Sequence, residues 1–191
     1  MSVEATGTSA LDQRRMRDMM GHFATGVTVV TARAGPLLAG MTANAIASIS
    51  VDPPLLMASI ARKAETHAAI IGSHAFAVNV LSADQRALAE CFAQPTTAVK
   101  LTRFCGAAWH EAETGSPILE GALAYFDCRL KDRHDGGDHT MFVGEVVAAG
   151  TLDDAEPLIW YASAYRRLDP NRQARPDPPG VTPPPRPAGR G

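Results

Sequence analysis

The chain has 191 residues, 46% of them hydrophobic and 20% charged, with a formal net charge of −2. These values are typical of a soluble protein with one domain and a sizeable core. They argue against a nucleic-acid partner, because neutralising phosphates requires clustered Lys and Arg.

The N-terminal segment, residues 1–10, is rich in Ser, Thr and Gly and is predicted to be disordered. It lacks the apolar core of a signal peptide. No run of the chain approaches the roughly 20 apolar residues that a membrane helix needs. We therefore expect no membrane association and a cytoplasmic location.

Residues 11–22 have apolar side chains at helical spacing and predict an amphipathic helix. Its three arginines, Arg14, Arg15 and Arg17, lie between Asp12 and Asp18. This mixed charge is typical of a solvated helix face rather than a basic binding surface.

The first half of the chain then alternates short apolar runs with turn residues, which predicts antiparallel strands. The β-branched run at 27–32 leads through a turn at 33–36 to a return strand at 37–42. A half-buried strand at 46–51 is broken by Asp52, Pro53 and Pro54, and a further strand is predicted at 55–60.

The middle of the chain predicts two helices around one strand. A short helix at 65–71 ends at Gly72, and a strand follows at 75–81. A second helix at 85–92 has Ser82 or Asp84 as its N-cap. Residues 94–108 are interpreted as a long loop with a helical turn at 100–104.

The two longest strands are predicted at 122–131 and 140–148, joined by a turn at 133–138, with a final strand at 158–161. Residues 169–191 are rich in Pro, Gly and Arg and predict a disordered tail rather than a polyproline ligand. Many short strands with few helices favour a mainly β, α+β fold built on an antiparallel barrel. No Gly-x-Gly-x-x-Gly follows a strand, so a Rossmann cofactor site is not indicated.

The three cysteines are Cys91, Cys105 and Cys128. This odd, sparse set without Cys-x-x-Cys spacing argues against a disulfide scaffold and a structural zinc site. Cytosolic thiols fit better, and the alternation around Cys128 predicts that it is buried.

Residues 136–145 place a charged, glycine-rich turn directly before His139 at the start of an apolar strand. Three interpretations of His139 remain open on the residues alone. It can be a hydrogen-bonded turn histidine, a metal ligand with His134, Asp135 or Asp138, or a histidine that orients a cofactor.

Three further segments have candidate binding chemistry. Thr42 to Ala45 offers a hydroxyl, an amide and small side chains against which a planar ring can lie, although an ordinary hairpin end has the same composition. Residues 59–66 open a helix beside Arg62 and Lys63, which suits a phosphate or simply a solvated loop. Residues 160–166 combine aromatic and small side chains, as a final packed strand also does.

Five segments taken together resemble the short-chain flavin reductases. Their order and spacing match over residues 12–168, and the fifth has a glycine five residues after its histidine. The matching segments are 23–31, 40–45, 48–54, 76–81 and 137–144. The resemblance implies an FMN-binding-type antiparallel split β-barrel over residues 11–168.

The resemblance also implies an NAD(P)H-dependent flavin reductase that transfers hydride from NADH or NADPH to FMN, or to FAD. It implies a homodimer, and a separate flavin-dependent monooxygenase that receives the reduced flavin. No metal is required. The competing interpretations are a non-catalytic flavin- or haem-binding split barrel and an oxidase of the pyridoxamine-phosphate type.

Site residues follow from the resemblance position by position. His139 is the expected catalytic residue, with Asp138 beside the nicotinamide. The flavin ring and its phosphate are expected at Gly40, Met41, Thr42, Asn44, Ala45, Ser59, Ile60, Ala61, Arg62, Lys63 and Thr66. Dinucleotide contacts are expected at Trp160, Tyr161, Ser163, Tyr165 and Arg166.

Two positions depart from the family pattern. Ala45 replaces the usual Ser, so one hydroxyl contact to the flavin is lost or comes from Ser48 or Ser50. Glu65 stands where the family has Arg, so the positive charge for the phosphate is expected from Arg62 or Lys63.

Overall fold

A computed structural model describes residues 12–94, 104–151 and 155–168 of the chain. The expectations for residues 1–10 and 169–191 and for most of the helical turn at 100–104 lie outside this part. The helices are α1 (Gln13–Met20), α2 (Glu65–Ser73) and α3 (Arg86–Ala93). The strands are β1 (Thr25–Gly26), β2 (Thr28–Ala34), β3 (Leu37–Ala43), β4 (Ile46–Val51), β5 (Pro54–Ala61), β6 (Ala75–Val80), β7 (Trp109–Glu111), β8 (Pro117–Leu119), β9 (Ala124–Gly136), β10 (His139–Thr151), β11 (Ile159–Tyr161) and β12 (Ala164–Arg166).

The main sheet has seven strands in the order β3-β2-β6-β9-β10-β5-β4, which puts β3 and β4 at opposite edges. Only Asn44 and Ala45 separate these edges along the chain, and the three peptide units involved span at most about 11 Å. The edges must therefore approach each other, which curls the sheet into a barrel. Because the two edge strands are joined by this short seam rather than by pairing, the barrel is split, as predicted.

The barrel has apolar clusters on both faces of its strands. Val29 and Val30 are neighbours on β2 and both are fully buried, on opposite faces. Val30 belongs to the inner cluster with Phe76 and Phe142, against which α2 packs through Ile70. Val29 belongs to the outer cluster under α3 and the 3₁₀ turn Phe104–Gly106. That cluster also contains Val27, Leu81, Phe92, Phe104 and Leu158.

Asn79, in the apolar segment 76–81, is a buried structural residue. Its Nδ2 donates to the Val29 carbonyl oxygen at 3.1 Å, and its Oδ1 accepts from the Leu119 N–H at 2.8 Å. This amide joins β8 to the main sheet and satisfies backbone groups that would otherwise be unpaired.

The β9–β10 hairpin is longer than the sequence predicts. Both strands have 13 residues, and the turn is reduced to residues 137 and 138, with Gly137 at φ 76°. The predicted turn at 133–138 was therefore wrong. The polar side chains of 131–136 lie on an exposed strand arm, where polarity and extended backbone are compatible.

Smaller differences occur at other elements. The helix predicted at 65–71 ends not at Gly72 but at His74, which has a left-handed φ of 54°. The helix predicted at 11–22 is shorter, and none of its residues is buried. The sequence did not predict the β7–β8 pair or β12, which are three-residue strands. Ser82 caps the 3₁₀ turn Ala83–Gln85, with which it forms a capping box through Gln85. The N-cap of α3 itself is Gln85, so neither Ser82 nor Asp84 is the cap of this helix.

The expectation that all cysteines are free thiols was wrong for two of them. Cys91 and Cys105 form a disulfide, whereas Cys128 is a free, buried thiol, as predicted. Burial raises the pKa of Cys128 to about 12, with a smaller effect from Asp127. In the described part of the chain, no helix has the length and apolar character needed to span a membrane.

Candidate functional site

A cleft of about 300 Å³ opens beside the end of β3. Thr42 and Asn44 line it, as do Trp160 and Tyr165, so two segments that are more than a hundred residues apart meet here. The Thr42 Oγ1 donates to the Ala89 carbonyl oxygen at 2.6 Å, which fastens this wall of the cleft to α3. The complete lining consists of Val27, Thr42, Ala43, Asn44, Ala93, Trp160 and Tyr165.

The aromatic wall of the cleft is an edge-to-face pair. The rings of Trp160 and Tyr165 have centroids 4.9 Å apart at an interplanar angle of 70°. The Arg86 guanidinium lies 5.5 Å from the centre of the Tyr165 ring. Burial, followed by the charge of Glu90, raises the pKa of Tyr165, and Arg86 opposes this shift. The phenol therefore stays protonated at neutral pH.

The tip of the β9–β10 hairpin holds His139. Its Nδ1 lies 2.7 Å from the Asp138 Oδ1, and its side chain is 40% exposed. The hydrogen bond to His139, then the charge of that histidine, lower the pKa of Asp138, with a smaller effect from Lys63. Asp138 is thus a carboxylate that orients the imidazole through Nδ1.

Arg62 and Lys63 have different environments although they are neighbours. The Arg62 Nη2 lies 2.9 Å from the Asp135 Oδ2, and its Nε donates to the His139 carbonyl oxygen. It lines a second cavity of about 300 Å³ with His67 and Arg133, beside α2. Lys63 is exposed and its charge acts on Asp138. Arg62 is therefore held by Asp135 and by the backbone at His139, whereas the Lys63 side chain is open to solvent.

The cleft and the hairpin tip are connected through the seam of the barrel. The Ser59 N–H donates to the Ala45 carbonyl oxygen at 3.0 Å. On β5 and β10, Ser59 pairs with Met141 and Ala61 pairs with His139. Because paired residues point to the same face of a sheet, these four side chains form one half-buried surface that leads from Ala45 to His139.

The other predicted site residues divide into core and surface. Ile60 and Thr66 are almost fully buried, Met41 packs against the inner cluster, and a Cβ on Gly40 would lie 2.7 Å from the Phe92 Cε1. Ligand contacts from Gly40, Ile60 and Thr66 are therefore limited to the backbone, whereas the Met41 side chain is half-buried. Tyr161, Ser163 and Arg166 are exposed, outside the lining of the cleft.

Sequence reasoning missed three residues at the cleft. Val27 and Ala93 line it, but an apolar residue at a strand start or helix end has no chemical signature. Arg86 reaches the Tyr165 ring, and the only signal was its i,i+4 spacing to Glu90, with which it forms an ion pair.

The cleft suits a planar aromatic heterocycle. Small side chains at Ala43 and Ala93 leave room along one wall, and Asn44 and Thr42 add polar atoms at its edge. A mostly apolar cavity with few polar groups is the usual form of a cofactor site. Among the described residues, no three His, Cys, Asp or Glu side chains converge as a metal site.

Comparison with known proteins identifies the family. The family described as "Flavin reductase like domain" matches residues 20–169. The chain belongs to this family. Two relatives align with most of this chain. The "FMN reductase (NADH) SmoA" of Agrobacterium fabrum is 42% identical over 82% of this chain and 87% of its own length. The "Flavin-dependent monooxygenase, reductase subunit HsaB" of Rhodococcus jostii is 34% identical over 88% of this chain and 84% of its own.

Solved structures of flavin reductases share the fold. The Streptomyces globisporus "NADH:FAD oxidoreductase SgcE6" has a TM-score of 0.80 at 34% identity, covering 89% of this chain and 100% of its own. BorF, the flavin reductase component of a bacterial two-component tryptophan halogenase, has a TM-score of 0.75 at 37% identity, with 82% and 98% covered. This flavin reductase is thus a split barrel like its relatives.

Proposed function

We propose that the protein is an NAD(P)H:flavin oxidoreductase that supplies reduced flavin to a separate flavin-dependent monooxygenase. The observation that supports this most is the cleft at Thr42 and Asn44, joined by one continuous surface to His139 in a chain of the flavin reductase family. Relatives named as reductase subunits of monooxygenases support the role of the partner enzyme.

NADH is the proposed hydride donor, because relatives are named as NADH-dependent reductases of FMN and of FAD. FMN and FAD both remain candidate acceptors for the same reason. When bound, a flavin would accept a hydride from the nicotinamide; this chemistry belongs to the cofactors, and the protein supplies orientation and water exclusion.

The flavin ring is proposed to lie along Thr42 to Ala45, with Trp160 and Tyr165 as the opposite wall. The Asn44 amide would hydrogen-bond the polar edge of the ring. Lys63 is proposed to hold the phosphate, at the start of α2, where N–H groups and the helix dipole also favour an anion.

His139 is proposed to orient the nicotinamide. Asp138 bonds its Nδ1, which leaves Nε2 as the ring nitrogen that faces a ligand. The imidazole would therefore hydrogen-bond the nicotinamide and exclude water from the cleft. It need not transfer a proton for this role, since hydride transfer itself requires none from the protein.

We also propose a homodimer and a cytoplasmic location, with residues 11–168 as the reductase domain. Support for the dimer comes from β4, an edge strand of the main sheet, where Ile49 and Val51 are 51% and 88% exposed. Apolar exposure at a sheet edge favours association with a second copy. Light scattering after size-exclusion chromatography tests this, and a monomer at all concentrations would contradict it.

The test of function is NADH and NADPH oxidation, followed by absorbance, with FMN, with FAD and without flavin. We expect turnover that depends on added flavin and is faster with NADH. Tight flavin binding without turnover for any combination of nucleotide and flavin would instead favour a binding module. Turnover that needs no added flavin and releases none would favour an oxidase.

A further inference from the structure

The Cys91–Cys105 disulfide holds the helix that forms one wall of the candidate flavin cleft, although neither cysteine lines the cleft itself. Cys91 is on α3, between Ala89, whose carbonyl oxygen accepts from Thr42, and Ala93, which lines the cleft. The bond joins positions 14 residues apart, with Cα atoms at 6.0 Å. It therefore cross-links α3, the helix that forms this wall, to the 3₁₀ turn that contains Cys105.

The other end of the disulfide holds an aromatic contact over β3. Phe104, next to Cys105, packs edge-on against Phe92, with ring centroids 5.1 Å apart. Both rings cover Gly40, where a Cβ would lie within 3.4 Å of each. The disulfide thus holds together the two aromatic rings that cover β3, the strand that contains Thr42.

The turn that contains Cys105 is conformationally unfavourable. Phe104 and Cys105 have φ angles of 45° and 55°, in the left-handed region that non-glycine residues rarely adopt. Such residues persist only where the surroundings hold them. A covalent bond to α3 supplies this restraint, and opening it would allow the turn to relax.

We propose that Cys91 and Cys105 are a reversible thiol–disulfide site that controls how tightly the cleft retains flavin. The proposal rests on the function proposed above. The closed form, called here the Cys91–Cys105 clamp, holds α3 against β3 and preorganises the cleft. In the dithiol form α3 is less restrained, so flavin binds more weakly and dissociates faster.

The chemistry of the clamp balances with an oxidant that the reaction itself can generate. Reduced flavin that no monooxygenase consumes reacts with oxygen to give hydrogen peroxide. One thiol is oxidised by peroxide to a sulfenic acid with release of water, and the second thiol displaces a second water to form the disulfide. Two external thiols open it again, through a mixed disulfide, and become oxidised to their own disulfide. Peroxide from unused reduced flavin would thus slow further flavin release.

Cys128 provides an internal contrast. It is fully buried, and with a pKa of about 12 it stays a thiol, which is the unreactive form. Cys91 and Cys105 are each partly exposed, so thiol reagents can reach them. Thiol titration of the native protein should detect the Cys91–Cys105 pair only after reduction, and Cys128 only after unfolding.

The experiment measures the Kd and dissociation rate of FMN by fluorescence, on air-oxidised protein and on protein reduced with dithiothreitol. The expected result is a roughly three- to tenfold higher Kd in the reduced form, as when only a fraction of molecules has a competent cleft. Cys91→Ala and Cys105→Ala should show the same increase without reductant. Cys128→Ala is the matched control, and its Kd for FMN should rise on reduction as much as that of the unmodified protein.

A second measurement, amide hydrogen exchange in α3, is independent of flavin. Reduction should accelerate exchange in α3 more than in α2. The proposal would be overturned if amide exchange and the Kd of FMN were the same in both forms, even if reduction lowered the melting temperature. It would also be overturned if two thiols titrated freely in the air-oxidised native protein. Absence of flavin binding in both forms would contradict the proposed function instead, while exchange in α3 would still report on the clamp.

Discussion

The N–H of Ser59 donates to the carbonyl oxygen of Ala45 at 3.0 Å, and this one hydrogen bond joins the two halves of the candidate site. On one side of it lie the cleft and its aromatic wall. On the other side, the paired strands β5 and β10 lead to His139. We expect that each half can be changed without altering the other.

Replacing the hairpin-tip histidine tests the nicotinamide half. We expect His139→Ala to lower kcat/KM for NADH by about tenfold, the effect of losing one hydrogen bond of about 1.4 kcal/mol. The Kd of flavin should change little, because His139 does not line the cleft. Asp138→Asn should give a smaller loss, since it keeps a bond to Nδ1 but no charge. An unaltered kcat/KM in His139→Ala would remove this residue from the mechanism.

Two substitutions at the seam test the flavin half. Asn44→Ala should raise the Kd of flavin by about fivefold through loss of a hydrogen bond. Because Asn44 is exposed, the denaturation midpoint should not move. Ala45→Ser restores the hydroxyl usual in the family and should lower the Kd. Both are measured by fluorescence titration, and equal affinities for all three proteins would place the flavin elsewhere.

A tightly packed glycine tests the inner core. A Cβ at Gly144 would lie 2.7 Å from both the Cys128 Cβ and the Phe76 Cζ. We expect Gly144→Ala to lower the free energy of unfolding by about 1–3 kcal/mol, as overpacking does. Gly26→Ala is the matched control, since nothing lies within 4 Å of its Cβ. Urea denaturation compares them, and equal losses would mean that the barrel expands freely at Gly144.

The pH dependence of stability tests His67. Its burial, then the charges of Arg62 and Arg133, lower its pKa below the usual 6.5. The unfolded chain therefore gains a proton at a higher pH than the folded chain, so stability from this residue is present above 6.5 and is lost as the pH falls. Denaturation at about pH 7.5 and about pH 5.5 brackets the usual histidine value. His67→Gln should lose less of its free energy of unfolding between these two pH values than the unmodified protein does. An identical loss in both proteins would exclude His67 as a cause of the pH dependence.

The barrel strands were predictable from sequence because their side chains alternate or form short apolar runs. The tip of the β9–β10 hairpin was predicted next to His139. The exposed part of β9 at 131–136 was not predicted as a strand, because polar residues such as Asp132 and Arg133 are compatible with either a turn or a strand. The end of α2 was misplaced because His74 adopts a backbone conformation usually associated with glycine.

The candidate site was predictable only where residues have chemistry of their own. Asn44, Trp160 and Tyr165 were predicted from the family pattern, and the structure brings them to one cleft. Ala93 and Val27 could not be predicted, because only the three-dimensional packing makes them lining residues. The disulfide was missed because Cys91 and Cys105 have no diagnostic spacing, and their proximity depends on how α3 packs.

The seam at Asn44 and Ala45 has a consequence for how this protein can be altered. The same two residues bridge the sheet edges and border the cleft, so their number is constrained by the perimeter of the barrel. Inserting or deleting a residue there would change the distance that the link between β3 and β4 can span, and β4 cannot compensate by slipping along β5, because the turn of the β4–β5 hairpin fixes its register. Engineering of flavin preference should therefore exchange side chains at the seam and keep its length, and a circular permutant opened at this point should lose barrel and cleft together.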